Sequence, residues 1–431
     1  MLHPAPLPSR TLFAEDRRWS VERAWPVPGE PMVLAVEVSA LPEENSDTVK
    51  ADTADSGFTA GTDSRTSEAT GERYLPRRSR RAGRFWIQEP ADKSRYTEHL
   101  ELYPAETDPD LPALERAARS GIVVAHEPGR RAVVRHTSSP SEGRSPVAHG
   151  RSTVVNGRNP VVTGRSTSQD DRGSESTETY TVVRPPGEAR NLLDGMRHAQ
   201  AFAGPFRLPR LIAHDDSTVT FQALKGVSLH RPERFAAEQW HAAWDQALDA
   251  WSTAIQHPGE LPSTTPVHGA GTEVRRLQRW EEKTRPYIIG AELFQEAVAS
   301  ACSSLEKITE PRMVPSHREL RDEDFLWSPD LGPALLKVSS AGWAHPALDL
   351  GSLRACARWN ELRGLWDADQ ARVVTSLIND TAYRTGVALD ALGVYERSAL
   401  LRMSCQYTFS PSLADAAENL RAELVQSQQL R

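Results

Sequence analysis

The sequence predicts an α+β fold of two lobes, a β-rich first half followed by a helical second half. Three observations predict it. Up to about residue 224, short runs rich in Val, Ile, Thr and Phe are separated by turn residues, the pattern of strands. From Pro232 onward, large apolar residues recur at three- to five-residue steps, the pattern of helices on a core. Hydrophobic content over the 431 residues is 39%, low for a compact globule, which points to an ordinary core diluted by uncored segments.

Residues 32–38 and 83–88 read as strands. Between them, 42–72 is rich in Ser, Thr, Asp, Glu and Gly and nearly free of large apolar residues. It cannot offset the entropy of ordering and is expected to be a disordered insertion. Runs at 121–126 and 132–135 flank a Pro128-Gly129 turn, a hairpin signal, and Tyr180-Thr181-Val182-Val183 supplies the next strand. The connection into that strand carries a seven-residue repeat: GRSPVAH from Gly143, GRSTVVN from Gly150, GRNPVVT from Gly157 and GRSTSQD from Gly164. Such a period would suit a coiled coil, but Gly in every copy, with Pro146 and Pro160, breaks helices. Residues 138–179 are therefore expected to be a disordered insertion in a hairpin connection, tolerated because closure entropy grows slowly with loop length. Residues 188–203 set Leu192, Leu193, Met196, Ala199 and Ala203 at helical spacing and end at Gly204-Pro205. Two more strands follow at 208–213 and 218–224.

In the second half Pro232 suits a first helical turn. Phe235, Trp240, Trp244, Leu248, Trp251 and Ile255 then form one stripe, whose spacing favours core packing over a ligand-stacking box. Further helices are expected at 273–283, 291–306, 352–365, 369–385 and 413–428. The organisation expected is an N-terminal extension with a strand (1–41), the insertion 42–72, a small β-rich lobe (73–230, interrupted by 138–179) and a helical lobe (231–431).

A net charge of −7 gives no electrostatic reason to expect nucleic acid as a partner. No run approaches membrane-spanning length, and the start, Met1-Leu2-His3-Pro4-Ala5-Pro6, carries no apolar signal stretch. Cys302, Cys356 and Cys405 lie far apart with no C-x-x-C pair, which fits buried thiols in a reducing cytoplasm rather than a disulfide or zinc framework.

The most informative stretch reads His317-Arg318-Glu319-Leu320-Arg321-Asp322-Glu323-Asp324-Phe325-Leu326-Trp327, then Leu335-Leu336-Lys337, and closes with Pro346-Ala347-Leu348-Asp349-Leu350. This frame resembles the catalytic loop, metal loop and following helix of the aminoglycoside phosphotransferase family, small-molecule relatives of protein kinases. The resemblance covers about residues 120–400. It implies a two-lobed protein-kinase-like fold and a cleft for phosphoryl transfer, in which a carboxylate orients the acceptor, a metal is held by Asn-type and Asp ligands, and a Lys places the phosphates.

Set on that frame, this chain resembles a degenerate member of the family. Glu319 stands at the catalytic-base position, where one extra methylene moves the carboxylate by about an ångström, enough to cost on the order of a hundredfold in rate. Asp324 stands at the Asn or Gln position and can still offer oxygen to a hard cation. Lys337 stands at the metal-Asp position, and an ammonium repels Mg²⁺. Thr181 falls at the phosphate-Lys position, with Arg184 the nearest cation. His317 and Asp349 keep structural roles, the histidine behind the loop and the aspartate bracing it from the next helix. The reading is a phosphotransferase-like pseudoenzyme, a binding or regulatory protein for a partner protein, a small molecule or a nucleotide without metal, with no cofactor assigned. ATP and Mg²⁺ belong to the alternative, an active phosphotransferase on a small hydroxyl-bearing substrate, which needs Asp322 or Glu323 to replace the lost metal ligand.

Overall fold

The computed structural model describes residues 7–41, 80–88, 97–137, 178–236, 238–258, 261–308 and 312–429. The segment 42–72 lies outside them, as does 138–179 except for its last two residues.

The chain opens with β1 (Thr11–Ala14), β2 (Arg17–Val27), β3 (Glu30–Ala40), β4 (Arg80–Gln88) and β5 (Thr97–Leu102), an antiparallel meander in sequence order. Leu12, Trp19, Val21, Ala24, Leu34, Val36, Val38, Phe85 and Ile87 form its core. This corrects the expected organisation. The N-terminal segment holds three strands rather than one, and β4, assigned from sequence to the small lobe, pairs with β3 from Val33 opposite Trp86 to Ser39 opposite Arg80. Register shifts after Val21 and Pro26 explain why β2 was not read, because they take Trp19, Val21 and Ala24 out of strict alternation.

A short helix, α1 (Leu114–Ala118), leads to the second sheet. Its elements are β6 (Ile122–Glu127), β7 (Arg131–Thr137), β8 (Glu178–Val183), α2 (Ala189–His198), β9 (Leu211–His214) and β10 (Thr218–Gln222), with strands ordered β6-β7-β8-β10-β9. One face, with Ala132, Val134 and Val183, is covered by Leu111 and Leu114. Val182, Val219 and Phe221 on the other face pack against Ala189, Leu192 and Leu193 around α2.

The helical lobe begins after β11 (Val227–Ser228). Pro232 opens only a 3₁₀ turn, and α3 spans Gln239–Gln256. Its Trp240, Trp244, Leu248, Trp251 and Ile255 are buried, the core role that their spacing predicts. Then come β12 (Val267–His268), α4 (Ala270–Thr284), α5 (Ala291–Glu306), β13 (Val314–Ser316), β14 (Phe325–Ser328), β15 (Gly332–Leu335) and β16 (Gly342–Ala344). Four helices close the chain: α6 (Ala347–Leu362), α7 (Ala368–Thr385), α8 (Leu389–Thr408) and α9 (Ala414–Gln429). The α8 helix was not anticipated. It is buried nearly all round, and its inner face carries Ser398, Arg402, Ser404 and Thr408, which erase the apolar stripe. A five-stranded antiparallel sheet with one helix after its third strand, followed by a helical lobe, is the kinase-like two-lobed arrangement. No described helix is long and apolar enough to cross a membrane.

Candidate functional site

The segment from His317 to Asp324 links β13 to β14, and Asp349 in the first turn of α6 holds it. Asp349 Oδ1 accepts from Ser316 Oγ and the Arg318 amide, both at 2.9 Å. Its Oδ2 accepts from the His317 amide at 2.8 Å and Trp251 Nε1 at 3.3 Å. Four donors on one buried carboxylate are charge-assisted bonds, about twice as strong as neutral ones. His317 is buried and donates from Nε2 to the Leu336 carbonyl at 2.8 Å, joining the loop to the chain that leaves β15. Arg318 sits at φ 68°, a left-handed conformation unusual for a residue with a side chain, at the point where the His317 and Arg318 amides both reach Asp349. Asp349 thus ties the loop to α6, and His317 ties it to the chain leaving β15.

The chemical positions are occupied by ion pairs. Leu336 N donates to Asp324 O at 2.8 Å, which sets Lys337 beside the loop with φ 51°. Lys337 Nζ lies 2.5 Å from Glu323 Oε1 and 3.1 Å from Asp324 Oδ1. Asp324 is buried, and its other oxygen accepts from the Arg321 amide at 2.9 Å. Burial pushes the Asp324 carboxyl above its ordinary range despite the ammonium. At the more open Glu323, burial acts the same way, but Lys337 and Arg321 outweigh it and hold the carboxyl at about 2. Desolvation of Lys337 is likewise outweighed by Asp324 and Glu323, which keep it above the usual lysine value.

Glu319 does not face Lys337. Its Oε1 is 2.6 Å from Arg276 Nη2, and the same guanidinium donates from Nη1 to the Arg318 carbonyl at 3.2 Å. Burial raises the Glu319 carboxyl, yet Arg276, Arg321 and Arg402 together hold it below its ordinary value, making it a weaker base than a free glutamate. Arg276 projects from α4, and nothing in the sequence distinguishes it from the helix's other arginines. Asp322 is turned away into a buried cluster, 2.5 Å from His230 Nδ1 and accepting from Asn360 Nδ2 at 2.6 Å. Its partners are thus His230 and Asn360 rather than Lys337.

On the small-lobe side, Thr181 pairs with Val134 on the face covered by α1, opposite to α2. Its hydroxyl lies 2.9 Å from Thr220 Oγ1 and 3.0 Å from His136 Nε2, a closed polar cluster. The residue assigned to the phosphate-Lys position thus does not point to the α2 face. Arg184 lies one residue past β8, with Arg131 and Glu188 among the charges around it. Burial lowers its guanidinium, and the neighbouring Arg131 adds to this. One residue missed from sequence is Gly195, where α2 meets the helical lobe. A Cβ there would stand 2.0 Å from the Ser339 carbonyl oxygen. A glycine inside a strongly amphipathic helix was the available signal.

A hard divalent cation does not fit this site. It asks for several oxygens converging at one point. The two carboxylates nearest Lys337, Glu323 and Asp324, converge instead on its ammonium.

No protein-family model matches the chain, and no curated protein is similar to it. Solved structures are similar at low identity. A choline kinase, LicA, from Streptococcus pneumoniae is 15% identical, with a TM-score of 0.43 over 59% of this chain and 87% of that one. A choline kinase from Cryptosporidium parvum is 10% identical, with a TM-score of 0.42 over 60% and 84%. A thermostable mutant of aminoglycoside phosphotransferase APH(4)-Ia is 14% identical, with a TM-score of 0.42 over 61% and 93%.

Proposed function

We propose that this protein is a phosphotransferase-like pseudoenzyme, a binding or regulatory protein whose cleft receives a ligand without transferring phosphate. One observation carries the reading: the Lys337 ammonium is paired with Glu323 and Asp324 where the phosphotransferase frame requires a metal-binding aspartate. Phosphoryl transfer relies on a metal ion to bridge and neutralise the phosphates. A lysine there neutralises the same carboxylates permanently and keeps the ion out. The Arg276 pair on Glu319 points the same way, since a base must be free to take the acceptor proton. The ligand is a small molecule or a partner protein rather than nucleic acid. Three buried free thiols suit a reducing compartment such as the cytoplasm.

Thermal unfolding with ATP, with and without Mg²⁺, tests this directly. The expected result is no Mg²⁺-dependent stabilisation and no ATP turnover. Mg²⁺-dependent stabilisation together with turnover would overturn the proposal and establish an active phosphotransferase.

A further inference from the structure

The N-terminal sheet has its own core, yet it is bonded to both lobes. On the helical side, the Ala24 amide of β2 donates to the Phe409 carbonyl, just past α8, at 2.8 Å. Phe409 and Tyr287, edge to face at 5.1 Å, are built into the sheet's core beside Trp19, Val21, Leu34 and Phe85. Tyr287 comes from the α4–α5 connection, so two separate helical-lobe segments close this core.

On the small-lobe side, Glu37 of β3 accepts from the His126 amide of β6 at 3.1 Å and from Arg80 at 2.9 Å. The segment after β5 adds a second tie. Asp108 Oδ2 lies 2.8 Å from both His126 Nε2 and the Gly129 amide, and its Oδ1 accepts from the Asp110 amide at 3.0 Å. The β6–β7 turn is therefore pinned from outside its own sheet. Glu37 is 3% exposed and Asp108 4%, depths at which a carboxylate stripped of its donors would be costly. β6 is also an edge strand, whose free side the first sheet covers.

We propose that the N-terminal sheet is a strap that spans the two lobes and sets the opening of the cleft between them. Lobe closure in two-lobed proteins turns on a hinge that is free to rotate. Here the rotation would have to tear Phe409 and Tyr287 from the first sheet's core or the Glu37 carboxylate from the His126 amide. The inference stands whether or not the cleft transfers phosphate.

The test uses the full chain with spin labels at two exposed positions, Arg190→Cys on α2 and Asp369→Cys on α7. The native cysteines are buried and stay unlabelled. Double electron–electron resonance should give one narrow distance distribution in the otherwise unaltered protein. Tyr287→Ala with Phe409→Ala, or Glu37→Ala alone, should lose that single peak while helical circular dichroism is retained. A broad or split distribution in the otherwise unaltered protein would overturn the proposal even if the variants fail to fold. So would an unchanged narrow peak in folded variants of both kinds.

Discussion

Lys337 is where a single side chain decides the electrostatics of the loop before β14. It stands between a buried carboxyl that is hard to ionise and an open one that is held ionised. The two have opposite linkage to pH. Glu323, with its folded pKa depressed to about 2, contributes stability that is full above its ordinary value of 4.5 and is lost as pH falls towards 2. Asp324, raised on folding, opposes folding at neutral pH, and that penalty is relieved as it takes up a proton. Lys337→Met removes the cation and leaves the two carboxylates facing each other. Because Lys337 is half exposed, the cost at pH 7 should be about 1–2 kcal/mol rather than the larger loss of a fully buried pair. As pH falls from 7 to 5, urea midpoints should then rise more steeply for the variant than for the parent; parallel profiles would show that the cation does not govern these groups. Asp349→Asn should destabilise by about 3 kcal/mol in the same assay, since an amide can offer only one oxygen to four donors. A loss below about 1 kcal/mol, the size of an ordinary exposed bond, would contradict the bracing role. His317, Asp349 and Lys337 could be singled out from the sequence because a motif carries them in a short stretch of chain. Arg276 was not, because its partner Glu319 is brought to it by tertiary packing.

Among the elements, α2 carries the contact that joins the small lobe to the loop after Lys337. Ala is favoured over Gly inside a helix by about 1 kcal/mol, so on propensity alone Gly195→Ala should stabilise. The Ser339 carbonyl, 2.0 Å from the new Cβ, reverses the sign, because rigid backbone must move to admit it. The expected net loss is about 1–3 kcal/mol by chemical denaturation, and a gain would mean that the two lobes are not seated as described. Helices with a clean stripe, such as α3 and α5, were read from sequence to within a turn or two. The reading of α8 failed because its buried face is partly polar. Glu273, fully buried on α4, accepts from Ser398 Oγ at 2.8 Å and Arg402 Nε at 2.9 Å, so α8 packs through a polar network that resembles a solvated face in the sequence. The strands β1, β2 and β5 were missed for a related reason. Bulges and charged outward residues interrupt the alternation on which a strand reading depends.

For the whole molecule, the order of β-rich and helical halves was legible, but the partnership of the first sheet was not. β3 finds β4 across a long intervening segment, and Tyr287 and Phe409 complete that sheet's core from distant parts of the helical lobe. Such pairings follow from shape complementarity of assembled surfaces, which no local pattern encodes. They have a consequence for cooperativity. Phe409 is 1% exposed and belongs to the first sheet's core, while it directly follows α8, one of the principal helices of the other core. Opening the sheet therefore exposes a ring that the helical lobe carries at the end of α8, and the two should unfold together. In native-state hydrogen exchange, the amides of β2, β3 and β4 should open with the same denaturant dependence as those of α6 and α8. Phe409→Ala, a truncation that costs about 3–5 kcal/mol in a well-packed core, should split this behaviour. The β2–β4 amides should exchange through a lower-energy opening while α6 keeps its protection. If β2–β4 already open independently in the unaltered protein, the first sheet is an appended module rather than a structural part of the two lobes.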